Sequence, residues 1–457
     1  MPRSTVPADS LLSLLRRRGP TPARELQAEL RIAQPTLSRL VRSGGDAIIR
    51  FGRARATRYA VRRDVEQLGD RWDVHRIDAA GRARLVATLH ALHPKMWWYE
   101  AEPRPAWLRD EPADGLFSDL PWFLDDLRPQ GFLGRAFATR YRHELGLGPD
   151  LRLWSSSDVL KILLLYGDDL PGDFVVGERA LTRVQHASLG DPPSIPPDAR
   201  ISEYARLADA AIAGEPAGSS AGGEQPKFTA CVCDGADRRH VLVKFALRDS
   251  SVGERWSDLL LAEHLAAESL RAHGIAACET EWIDGERRCY LEIRRFDRVG
   301  AHGRRGVTTL HAFQSAHGDL TADWLAVADE LTTGGWLFPD DADTIRIAWW
   351  FGVLIGNTDM HLANLALFID DDLPLGLAPL YDMLPMHYRP TTTGELPHRD
   401  LVPALPKPRQ LAAWRRAAII AESFWQLVAA DARFTSYFRT EAGHMTEMLA
   451  RLRRRFD

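Results

Sequence analysis

The sequence predicts an α+β chain: a small unit of three helices and a β-hairpin at the N-terminus, then a two-lobed body whose first part is built on strands and whose second is mostly helical. Three observations carry that reading. Apolar residues in the first 63 positions fall at helical spacing three times and then form two strand-like runs. Apolar stretches of strand length follow a Gly- and Ser-rich segment at 218–227, and a helical pattern returns from about Arg409 to Arg455.

A chain of 457 residues is too long for one hydrophobic core, so several domains are expected, with boundaries near residues 63, 200 and 300. Apolar content of 45% and charged content of 26% argue against a disordered or fibrous class. No apolar run reaches the roughly eighteen residues of a membrane span, the densest being Ile347 to Ile355. Leu11, Leu12, Leu14 and Leu15 precede Arg16, Arg17 and Arg18 without the cleavage site of a secretory signal, which points to the cytoplasm. Cys231, Cys233, Cys278 and Cys289 match no zinc spacing and read as reduced packing residues.

The net charge of −4 conceals an asymmetry. Residues 1 to 63 hold fourteen Arg, no Lys and four acids, a balance of +10 that leaves −14 on the remainder. The two ends therefore face different partners.

The first helix runs from Asp9 to Arg18 and stops at Gly19-Pro20; Thr21 is placed to cap a second, with Pro22 at its first position and Leu26 and Leu30 inward. In a third, Gln34 to Ser43, Leu37, Leu40 and Val41 face the core and Gln34, Thr36, Ser38, Arg39 and Arg42 point outward. A strand at 47–49, a basic tip with Arg53 and Arg55 and a second strand, Arg58 to Val61, complete a winged helix-turn-helix. Its third helix would enter the major groove of DNA while the wing arginines reach phosphates or the minor groove. The alternative is a protein-interaction module with a solvated basic face.

Residues 64 to 200 are expected to form an α/β region and a connection. Within it, Leu120 to Gly131 reads as a structural turn clamping one lobe on the next, Asp158 to Tyr166 as a helix, and Gly190 to Ala199, with four prolines, as an irregular link.

Phosphoryl transfer from ATP needs donors that cradle phosphates, a cation, a carboxylate beside the attacking hydroxyl and oxygen ligands for Mg²⁺. Gly222 and Gly223, in a loop from Gly218 to Lys227, allow backbone N–H groups close to an anion, although the spacing is not that of a Walker A loop. Lys244 lies in a strand pattern, and Glu263 shares an apolar helix stripe with Leu259, Ala266 and Leu270 over Ser257 to His273. An acid there needs a partner, which Lys244 would supply. Asp359 and Asn364 stand five apart, the spacing of the H-R-D-x-x-x-x-N catalytic loop, ahead of a strand at Leu365 to Ile369. Asp382 follows another apolar stretch as a candidate Mg²⁺ carboxylate. Singly, each is commonplace: a flexible loop, a solvated lysine, a turn aspartate, and at His361 a hydrogen-bonded structural histidine. Their order is what points to a protein-kinase-like body.

These residues resemble the HipA family of bacterial toxin kinases. The family's S-x-x-G-x-Q-x-K loop is matched by Ser220, Gly223, Gln225 and Lys227, and its G-N-x-D-x-H-x-x-N segment by Gly356, Asn357, Asp359, His361 and Asn364. Leu380-Tyr381-Asp382 resembles its metal-binding segment, and Arg295-Phe296-Asp297-Arg298 its R-F-D-R motif near the adenine hinge. The resemblance implies ATP contacts from Ala221, Gly222, Gly223, Gln225, Lys227, Lys244 with Glu263, and the hinge residues Arg294 and Phe296. It also implies catalysis by Asp359 with His361 in the same segment, Mg²⁺ at Asn364 and Asp382, and self-phosphorylation of Ser220. The chain departs from the family at Glu224, Pro226 and Arg294. A DNA-binding unit fused in front is similar to the YjjJ-type relatives.

The expected function is thus a HipA-like serine/threonine protein kinase acting as a toxin, with ATP and Mg²⁺ as cofactors and DNA bound through residues 1–63. The family implies a translation factor or an aminoacyl-tRNA synthetase as protein substrate, and an antitoxin or a second copy as partner. The alternative is a transcriptional regulator whose kinase body senses nucleotide.

Overall fold

The computed structural model of the chain describes residues 7–52, 57–112, 115–214, 225–391, 393–396 and 399–456. Helices Ala8–Arg18, Ala23–Leu30 and Gln34–Ser43 enclose Leu11, Leu14, Leu15, Leu26, Leu37 and Leu40. They pack on an antiparallel sheet in which Arg58–Val61 is central between Thr21–Pro22 and Ile48–Phe51. Thr21 does not cap the second helix. Its backbone pairs with Tyr59, its hydroxyl donates to the Gly19 carbonyl oxygen at 2.8 Å, and the helix begins at Ala23 behind an extended Pro22.

Strand alternation gives this small sheet two apolar faces. Ile48, Tyr59 and Val61 turn to the helices, whereas Ile49, Phe51 and Ala60 pack on Leu92, Trp98 and Leu116 of the next unit. Phe51 stacks on Trp98 with ring centroids 5.0 Å apart, and the seam is laced by Arg63 N–H to Ala91 O at 2.9 Å and His93 N–H to Val61 O at 2.9 Å.

The next unit is a five-stranded antiparallel sheet in the order Leu116–Phe117, Met96–Glu100, Ala83–Leu92, Arg71–Ile77, Phe174–Val176. Helices Gly131–Leu145, Ser156–Tyr166 and Glu178–Ala187 accompany it. Its inner face, including Val74, Leu89, Trp97 and Tyr99, belongs to the same hydrophobic core as Phe313, Trp324, Phe351 and Trp425 of the helical lobe. The segment 120–131 contributes a short helix, Trp122–Asp125, and the half-buried Asp126. Asp126 accepts from the Thr309 N–H at 2.8 Å, the Thr309 hydroxyl at 2.8 Å and the Thr308 hydroxyl at 3.1 Å, which ties this unit to the cap of helix Leu310–His317.

The strand lobe is a four-stranded antiparallel sheet ordered Thr280–Asp284, Arg288–Arg294, Asp237–Leu247, Lys227–Asp234. Helix Ser251–Ala272 packs on it, starting six positions before the expected Ser257. Glycine within a first turn weakens a helix in isolation, but here the Ser250 hydroxyl accepts from Gly253 N–H at 3.2 Å. A Cβ on Gly253 would lie 1.8 Å from the Leu247 carbonyl oxygen, so only glycine allows this approach.

The helical lobe contains Leu310–His317, Trp324–Thr333, Pro339–Ile355, Leu411–Ala430 and Ser436–Phe456, with a small sheet of Val307–Thr309, Ala366–Phe368 and Gly376–Leu377. No helix among the described residues is long and apolar enough to cross a membrane.

Candidate active site

A cavity of about 1260 Å³ opens between the strand lobe and the helical lobe. Lys227 and Lys244 are Cα partners on adjacent strands, so both side chains point to one face of the sheet, and both are buried. Lys244 Nζ donates to Glu263 Oε1 at 2.7 Å and Oε2 at 2.9 Å and also to the Asp382 carboxylate. Two ammonium groups and two carboxylates thus share a desolvated corner and balance in charge. Burial opposes the Lys244 ammonium, but Asp382 and Glu263 outweigh it and hold its pKa above that of a free lysine. Burial would likewise push the Asp382 carboxyl up; Lys244 and Lys227 instead pull it down to about 2. Asp382 is therefore an anion at any physiological pH.

The loop that faces this corner is set by a helix end. Helix Pro339–Ile355 terminates at Gly356, whose φ of 76° is the left-handed cap position. A Cβ there would also meet Leu401 Cδ2 at 2.7 Å. The next residue, Asn357, is buried, and its side-chain oxygen accepts the Asp359 N–H at 3.0 Å while its Nδ2 donates to the Asp382 carbonyl oxygen at 3.2 Å. Asn364 Nδ2 donates to the Asp359 carbonyl oxygen at 2.7 Å, and Tyr381 OH donates to Ala363 O at 2.8 Å. Four bonds therefore brace segment 357–364 internally and against 381–382. Asp382 itself holds φ at 55°, a conformation aspartate tolerates but that a freely chosen turn would give to glycine.

Gln225, Lys227, Lys244, Asp359, His361, Asn364 and Asp382 all line the cavity, and Glu263 lies behind Lys244. Gln225 has a buried Nε2 with no hydrogen-bond partner among the described residues. His361 is exposed. Arg294 and Phe296 are not brought to this cavity. Arg294 pairs in register with Val241, three positions from Lys244, and its guanidinium meets Glu279 at 2.9 Å. Phe296 stacks on Tyr381 with centroids 5.8 Å apart, so it backs the segment carrying Asp382. Ser220, Ala221, Gly222 and Gly223, and Arg53 and Arg55 of the wing, lie outside the described residues. Gln34, Thr36, Ser38, Arg39 and Arg42 sit on the helix away from buried Leu37 and Leu40, with Gln34 Oε1 accepting from Gln27 Nε2 at 2.6 Å.

Two motif features take on bracing roles that their motifs do not specify. Asn357, matched to the family's G-N-x-D segment, braces both acid-bearing segments. The R-F-D-R motif is an ionic joint: Asp297 pairs with Arg295 at 2.8 Å and Arg298 at 2.7 Å and accepts Gly172 N–H at 2.9 Å, while Arg298 reaches Asp169 at 2.8 Å. It fastens the strand lobe to the preceding unit.

Residues 219–455, which hold every cavity residue named above, match the HipA-like C-terminal domain, and residues 68–185 match the middle domain of YjjJ-like toxins. The toxin YjjJ of Escherichia coli (strain K12) is 39% identical over 442 residues, covering 95% of this chain and 96% of that protein. The chain belongs to the HipA-like toxin family. A HipA chain from Shewanella oneidensis MR-1, solved with HipB and operator DNA, shares the fold at a TM-score of 0.51 and 16% identity, over 84% of this chain and 97% of that one. The HipA-like body is therefore preceded here by the five-stranded unit of YjjJ-like toxins, joined to it through the Asp297 ionic cluster and the Asp126 bonds.

Proposed function

We propose that this chain is an ATP-dependent serine/threonine protein kinase that transfers the γ-phosphoryl group to a protein hydroxyl. The observation that carries the reading is Lys244 held between Glu263 and Asp382 at the back of a cavity that Asp359 and Asn364 also line. Lys244 and Lys227 would neutralise nucleotide phosphates, with Gln225 as a further donor and Ala221, Gly222 and Gly223 as the contacts the family resemblance implies. Asp359 has no side-chain partner among the described residues and would accept the acceptor's proton or orient its hydroxyl.

The donors suit Mg²⁺. Asn364 engages its Nδ2 within the loop, which leaves Oδ1 for a hard cation, and Asp382 is ionised. No closed cluster of three or more His, Cys, Asp or Glu occurs among the described residues. Two protein oxygens match an ion that keeps waters and phosphate oxygens in its shell. When bound, Mg²⁺ supplies charge neutralisation on the transferring phosphoryl group.

Phosphate on Ser220 would add roughly two negative charges to the loop meant for nucleotide phosphates and so switch the enzyme off. Residues 1–63 would act as a winged helix-turn-helix that binds DNA through the third helix and through Arg53 and Arg55. The HipA chain solved with HipB and operator DNA supports a comparable assembly for this chain. The family resemblance points to a translation factor or an aminoacyl-tRNA synthetase as target class.

Incubation of the full chain with Mg²⁺ and γ-labelled ATP tests the kinase reading: label enters Ser220 of the wild type and not of Asp359→Asn. No label in the wild type, with nucleotide still bound, would favour a regulator that senses nucleotide. DNA binding is tested by salt-sensitive retardation of the protein's own promoter region, and its absence at micromolar protein rejects that part.

A further inference from the structure

The inner corner of the cavity is neutral in itself, but its mouth is not. Arg389 and Arg399 also line the cavity and are exposed, and neither guanidinium makes a hydrogen bond or ion pair among the described residues. Unpaired arginines in a cleft favour planar anions, which they bind through two parallel N–H donors.

The segment that carries them is firmly seated. Tyr388, immediately before Arg389, is buried against Trp425 and Phe438, and its carbonyl oxygen accepts from Arg255 at 3.0 Å. His387 donates its backbone N–H to the Gly356 carbonyl oxygen at 2.8 Å, and its ring Nε2 meets the Arg399 carbonyl oxygen at 3.0 Å. Gly356 is the residue from which the Asp359 loop departs. One histidine thus holds the Arg399 backbone and the start of the catalytic loop together, with Arg389 two residues on. Asp359, Arg389 and Arg399 line one cavity on segments joined at Gly356.

We infer that Arg389 and Arg399 select a protein substrate whose acceptor serine or threonine is flanked by acidic side chains. The inference rests on the kinase reading for its reaction, but the recognition it describes is a binding property that can be measured without turnover. Nucleotide phosphates are the competing anions. They already have Lys227 and Lys244 in the inner corner, and the arginines belong to the outer, helical-lobe wall.

The test uses the full chain and two fluorescent peptides with one serine each, flanked by Glu and Asp in one and by Gln and Asn in the other. Binding is followed by polarisation with a non-hydrolysable ATP analogue present. The wild type should prefer the acidic peptide by roughly tenfold, less at high salt, and Arg389→Gln/Arg399→Gln should lose that preference while retaining its affinity for the analogue and its melting temperature. Equal binding of both peptides, no binding of either, or a double variant that keeps the preference overturns the inference. So does a double variant that loses the analogue instead, since the arginines would then serve the nucleotide. Labelling of Ser220 in the same preparation reports on the kinase reading separately: label without peptide preference sinks only the inference, and preference without label sinks only the kinase.

Discussion

Asn357 donates its side-chain amide to the Asp382 carbonyl oxygen at 3.2 Å while its side-chain oxygen accepts the backbone N–H of Asp359 at 3.0 Å. One buried amide therefore sets the spacing between the two acids. Replacing it with Ala should lower kcat by on the order of 100-fold, because misplacement by about 1 Å is enough for such a loss, with a smaller change in KM for ATP. Steady-state kinetics on Asn357→Ala check this, and near-normal kcat would show that the two segments hold their spacing unaided.

Lys244 neutralises a buried carboxylate as well as facing the cavity. Lys244→Met leaves Glu263 desolvated without its cation, and breaking a buried pair from one side costs about 3–5 kcal/mol. The double change Lys244→Met/Glu263→Leu should recover much of that stability without recovering activity. Thermal melting of the three proteins checks the order: wild type highest, the single variant lowest and the double variant between them.

Gly253 admits the Leu247 carbonyl oxygen where a Cβ would lie 1.8 Å away. Gly253→Ala must push the first turn of helix Ser251–Ala272 off the sheet at a cost of roughly 1–3 kcal/mol. Glu263 rides on that helix, so nucleotide affinity should weaken alongside the melting temperature. Calorimetric titration with an ATP analogue, run beside a melt, reads both.

Burial biases several histidines toward the neutral form. Burial lowers the pKa of His90, His240, His264 and His317 below the ordinary value of 6.5. The unfolded chain then binds protons that the folded chain refuses, so stability is complete above pH 6.5 and declines as pH falls below it. Melting temperatures between pH 8 and pH 5 should be flat at first and then drop. A rise on acidification would contradict these assignments.

The sequence made the Lys244–Glu263 pair legible because an acid on an apolar helix stripe demands a cation, and the five-residue step from Asp359 to Asn364 placed the loop. Other parts depended on long-range contacts. Gly253 reads as a helix breaker until the Leu247 carbonyl oxygen is seen beside it, and Thr21 reads as a cap until its backbone is found paired with Tyr59. Arg294 and Phe296 were placed by motif alone. Strand register carries the first to Glu279, and stacking on Tyr381 carries the second behind the site instead of into it.

Phe51 on Trp98 has a consequence for how such a chain changes over generations. The seam at residues 61–63 and 91–93 is made of backbone hydrogen bonds and interlocked rings, with no slack between the first unit and the next. The N-terminal 63 residues are therefore no interchangeable cassette. A transplanted unit would have to bring its own counterpart for Trp98, Leu92 and Leu116, and drift at Phe51 must be answered across the seam. The first unit and the five-stranded unit behind it are inherited as a single piece.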